Sequence, residues 1–196
     1  MAKLTPMTKI SNRGLIRRLM SVRATAISVS ALMIFVITAC SSDSCCDPTF
    51  SKISEPEREF SIEYFESYGF KTAKEYDVAE LPAASSAYMG YFAPPEQNSV
   101  QYELRMYPNQ VTAIDKGISY ADEVTGENAL VRSGDTRWPE GTTDRRAGAS
   151  SGGLIARYGD FVVVGNTIIL CEGRDSEQAL DRCAELLWAT GIGVEG

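Results

Sequence analysis

Between a basic N-terminus and Cys40 lies an almost unbroken apolar run, Ala24 to Ala39. As a helix it would be about 24 Å long at about 1.5 Å per residue. A bilayer core of about 30 Å calls for about 20 such residues. The run is therefore sized as the apolar region of a signal peptide rather than as a stable membrane span. That removes the first 39 residues from the folding problem and leaves the remainder to build one core.

The flanks of the run are equally specific. Lys3, Lys9, Arg13, Arg17, Arg18 and Arg23 precede it, with no acidic residue among them. Such a charge bias orients the following apolar segment across a membrane. Ile37-Thr38-Ala39-Cys40 closes the run with small residues before a cysteine. This layout resembles the lipobox leader of bacterial lipoproteins. The resemblance implies removal of residues 1–39 and attachment of lipid to Cys40. Two or three acyl chains hold a protein firmly at about 0.8 kcal/mol per buried methylene. It also implies an extracytoplasmic address in the cell envelope, anchored to the membrane. Ser41, where an Asp often marks inner-membrane retention, points to the outer membrane if the source has one. An ordinary cleaved signal peptide and an uncleaved anchor are the competing readings.

Composition narrows the chemistry of the rest. All 26 acidic residues lie after Cys40, with 13 of the 19 basic ones, a formal charge of −13. That surface repels nucleic acid and anionic lipid heads. The chain contains no histidine. Ser-His-Asp and Cys-His catalysis are thereby excluded, and the commonest zinc ligand is missing. No motif implies a cofactor or a metal. Of the five cysteines, Cys45 and Cys46 lie close behind the expected anchor, without the C-x-x-C spacing of a metal site. Cys171 and Cys183 end an apolar strand and lie on the last helix, and an oxidising compartment favours their pairing as a disulfide.

Residues 40–54 read as a lipid-anchored flexible tether and 55–196 as a single globular domain. Ser54-Glu55-Pro56-Glu57 has the form of a helix start, with Phe60, Tyr64 and Tyr68 at helical spacing and Gly69 as the stop. Short strands are expected over 70–78 and 88–92. Val100 to Tyr107 alternates well, as a half-buried strand does, with Val100, Tyr102, Leu104 and Met106 on one side and Gln101, Glu103, Arg105 and Tyr107 on the other. Pro108-Asn109 opens a helix to about Val124, with Val111, Ile114, Ile118 and Ala121 inward. Residues 126–152 form a long connection. Two strands, Leu154 to Tyr158 and Phe161 to Leu170, then turn at Gly159-Asp160, with Gly165-Asn166 as the alternative or additional turn. A last helix spans about Ser176 to Ala189, with Leu180, Cys183, Ala184 and Leu187 inward. The order predicts an α+β fold, a small antiparallel sheet with helices mainly on one face, ferredoxin-like or a related open-sheet sandwich.

Candidate binding residues fall in the long connection. Trp138 and Arg137 combine the two residue types enriched in binding hot spots, although a tryptophan there also serves to pin a loop. Arg145 and Arg146 beside the glycines of 148–153 suit an oxyanion, without the lysine of a phosphate loop. Asp122, Glu123 and Glu127 do not match a calcium loop. The reading that emerges is a membrane-anchored lipoprotein whose domain binds an envelope protein or a small ligand. A carboxylate-based enzyme and a structural or assembly factor are the alternatives.

Overall fold

The computed structural model describes residues 51–193, so the leader, Cys40, Cys45 and Cys46 lie outside the described residues. A six-stranded mixed sheet forms the centre of the described domain. Its strands are β1 (Ile53–Ser54), β2 (Lys71–Tyr76), β3 (Ser86–Phe92), β4 (Val100–Met106), β7 (Tyr158–Val164) and β8 (Thr167–Glu172), in the spatial order β1-β7-β8-β4-β3-β2. Neighbours are antiparallel except β1, which runs parallel to β7. A separate ribbon pairs β5 (Arg146–Gly148) with β6 (Leu154–Ala156).

The α+β class holds, but helices cover both faces of the sheet. On one face, α1 (Ile62–Ser67) and α4 (Ser176–Ala189) bury Phe65, Cys183, Leu186 and Leu187 against Tyr102, Leu104, Val162 and Ile169. On the other face lie α2 (Gln110–Thr112), a π-helical turn (Ala113–Gly117) and α3 (Ile118–Asp122). They pack Ala113 and Ala121 on Phe161, Val163, Ile168 and Leu170. A third cluster on that face gathers Tyr76, Leu81, Ala87, Met89 and Trp138. Alternate residues of β7 and β8 therefore serve two cores, which explains why those strands are apolar on both sides.

Several expected boundaries move, each for a physical reason. Ser54 does not cap a helix. It lies in β1, opposite Val164, and Glu55 after it adopts φ 56°. Ser61 is the residue preceding α1, and Gly69 ends that turn with φ 97°. The strand through Gly159 does not turn there. β7 continues to Val164, and the two-residue turn is Gly165-Asn166, with Gly165 at φ 50°. Gly159 instead allows a close approach, since a Cβ there would lie 2.2 Å from the Asp175 carbonyl oxygen.

The helix after β4 begins as expected, with the Asn109 side chain accepting from the Thr112 N–H. The π-helical turn then inserts an extra residue per turn and rotates the apolar face. Ala113, Gly117 and Ala121 face the sheet, while Val111 is 77% exposed. The small residues suit the close packing, because a Cβ at Gly117 would lie 2.5 Å from the Tyr107 hydroxyl. α4 matches its expected span, with Asp175 accepting from the Gln178 N–H as N-cap. Cys171 and Cys183 form a disulfide, Cα–Cα 5.7 Å, which ties α4 to β8.

Candidate functional site: a buried guanidinium cluster under Trp138

β4 is buried along both faces, so its polar side is not solvated. Gln101, Glu103 and Arg105 project from it beneath the 126–157 connection, at 4%, 0% and 0% exposure. Burial of such groups is tolerated only when they are paired. Glu103 Oε1 accepts from Arg105 Nε at 2.7 Å, and Oε2 accepts from Arg145 Nε at 2.7 Å. Arg145 reaches this place from the turn over 141–145, where its N–H donates to the Gly141 and Thr142 carbonyls.

Aromatic rings roof the cluster. The Trp138 ring lies 4.0 Å from the Arg145 guanidinium carbon and 4.9 Å from that of Arg105. Such stacking favours arginine over lysine. Tyr76 meets Trp138 edge-on at 5.9 Å. Trp138 Nε1 donates to the Asp77 carbonyl at 3.1 Å. Asp144 completes the rim, accepting from the Tyr76 hydroxyl and Lys74, while its carbonyl accepts from Gln101 Nε2 and Arg157 Nε.

The electrostatics follow from burial and pairing. Burial alone would push the Glu103 carboxyl up, but Arg145 and Arg105 outweigh it and hold it below the usual carboxylate range. Desolvation lowers Arg105, against the pull of Glu103. Burial pushes the Tyr107 hydroxyl up to about 12 and also raises Tyr76 and Tyr158.

The four sequence candidates separate in space. Trp138 and Arg145 are buried at 3% each, so they hold the connection onto the sheet and present no open surface. Arg146 opens β5, one residue beyond Arg145, and is only half-buried. Arg137 is an exposed residue bound to Glu123, lying 4.0 Å over Tyr120. Glu103 and Arg105 are the members that sequence reasoning missed. The signal was two opposite charges on one side of an otherwise apolar strand. Among the described residues no group of carboxylates and cysteines is arranged to hold a metal ion.

The elements that build this cluster coincide with a recognised domain. A model of a family of unknown function, DUF6810, matches residues 61–190. The chain belongs to that family. The DUF6810 match runs from Ser61, just before α1, to Thr190, just after α4, and so includes every residue of the guanidinium cluster. No curated protein and no solved structure matches the chain.

Proposed function

We propose that this chain is a lipid-anchored envelope lipoprotein whose DUF6810 domain works outside the cytoplasm and binds a partner protein. The observation that carries the reading is the Cys171–Cys183 bridge inside the core. Disulfides persist in oxidising compartments and are rare in the cytosol. The bridge and the Cys40 leader are separate features that agree on the same address.

The β5–β6 ribbon is the contact element. Leu154 and Ile155 are adjacent on β6 and therefore face opposite ways, yet both stand about half exposed, at 48% and 45%. An apolar ribbon exposed on both sides suits a protein groove better than a small molecule. Arg146 and Arg157 frame it, and a groove of about 250 Å³ runs beside it past Ile155, Tyr158 and Arg174.

Intact-mass measurement of the native protein tests the address. Loss of residues 1–39 with acyl groups on Cys40 is the expected result, and an unprocessed chain starting at Met1 overturns it. A photo-crosslinker at Ile155, compared with one at exposed Val111, tests the ribbon. One discrete adduct specific to position 155, lost in L154S, is expected. Equal adducts at both positions remove the ribbon from consideration.

A further inference from the structure

Both oxygens of Glu103 are engaged, one by Arg105 and one by Arg145. Two cations thus share one anion, with exposures of 0%, 3% and 0% for Arg105, Arg145 and Glu103. The cluster carries a formal charge of about +1 away from solvent, because arginine stays protonated in proteins. Three of its nitrogens have no hydrogen-bond partner among the described residues: Nη1 and Nη2 of Arg105 and Nη2 of Arg145. The Tyr107 hydroxyl, on the same side of the strand as Arg105, is a fourth buried donor without a partner. Buried polar groups are ordinarily paired, and each exception calls for a physical cause.

The Trp138 ring offsets part of the charge, but it offers no lone pair to these N–H groups. The three guanidinium nitrogens can only donate, so their missing partner is an acceptor. The unbalanced charge makes that acceptor an anion. Arg105, Glu103 and Arg145 are at most 3% exposed, so an occupant among them is of atomic size. We infer that the Arg105–Arg145 cluster binds a small monovalent anion of the halide class, held by guanidinium N–H groups beneath Trp138. The site differs from an exposed phosphate cradle: Arg146 and the glycines of 148–153 take no part in it. The inference stands apart from the lipid anchor.

Thermal unfolding of the full-length protein in detergent tests it, with sodium chloride or bromide compared with sodium gluconate at fixed ionic strength. Stabilisation by either halide that grows with the logarithm of its concentration is expected, about 5 °C at about ten times the dissociation constant. R105M leaves a neutral Glu103–Arg145 pair, so the halide dependence should vanish. E103Q leaves two cations, so the dependence should steepen. Identical melting temperatures in all three salts overturn the inference, and so does a halide response unchanged in R105M. Crystals grown in bromide give a reading that needs no variant. An anomalous peak within hydrogen-bonding reach of the Arg105 Nη atoms supports the site. Water alone at that place, satisfying the donors without neutralising the charge, overturns it.

Discussion

Glu103 and Arg105, two residues apart on one side of β4, join at 2.7 Å with neither side chain exposed. This pair and Arg145 form a three-member unit, so its two kinds of member respond unequally to substitution. E103Q strands two buried guanidinium groups and should cost about 3–5 kcal/mol. R105M leaves Glu103 with Arg145 and should cost less than about 2 kcal/mol. Urea unfolding of the two variants in gluconate buffer measures both. Equal losses would show that Glu103 does not serve as the shared partner of both arginines.

Acid should unfold the domain partly through Glu103. Its carboxyl is held below the usual range in the folded state, chiefly because the two arginines outweigh desolvation. The unfolded chain therefore binds this proton first as pH falls. The contribution is complete above the unfolded value, about 4.3, and declines as pH drops through it toward the folded value. Asp160 adds to the same trend, as its bonds to Lys52 and Ser176 outweigh its partial burial. The urea midpoint of the wild type should fall steeply below about pH 4, with a shallower slope in E103Q. Parallel slopes would remove Glu103 as a source of acid sensitivity.

Loss of the Cys171–Cys183 bridge should cost about 3 kcal/mol, as expected for a short closed loop. The two sulfur atoms sit in the core at 0% exposure, so reductant should act only through opened molecules. The double variant C171A/C183A, followed by urea unfolding, gives the cost. Free thiol release by dithiothreitol should keep pace with unfolding; rapid release from the folded domain would contradict the burial.

Gly159→Ala should be among the more damaging small substitutions. Its new methyl would meet the Asp175 backbone at 2.2 Å, just before α4 begins. Overpacking of that kind costs about 1–3 kcal/mol, and backbone cannot swing aside as a side chain can. Gly153→Ala is the control, because a Cβ there meets nothing within 4 Å. Its effect should stay within about 0.5 kcal/mol. Comparable losses at both positions would mean that the glycines matter only for chain flexibility.

Legibility in the sequence varied with how local the controlling physics was. α4 was legible to the residue, since Asp175 caps it and its apolar residues follow one helical period. The Cys171–Cys183 pair was legible because its neighbours are a strand end and a helix face. β4 was legible as a strand, but period-two alternation says only that its sides differ. It does not say that the polar side is dry. What dries it is the 126–157 connection, which arrives from elsewhere in the chain and brings Trp138 and Arg145 with it. The turned-out Val111 was hidden for another reason: the π-helical turn changes the period within the helix itself. Ser54 had the chemistry of a cap, yet the sheet edge beside β7 competed for the same backbone.

The parallel edge strand β1 has a mechanical corollary. It meets the sheet through two register pairs, Ile53 with Val163 and Ser54 with Val164, while the bridge that locks α4 lies at the opposite end of the described chain. Any tension transmitted from the N-terminal side would load those few backbone hydrogen bonds before it reached the interior. Peeling them would extend the N-terminal segment at modest cost while α1 to α4 stay assembled, so a pull from that side is met at the sheet edge before it disturbs the cores.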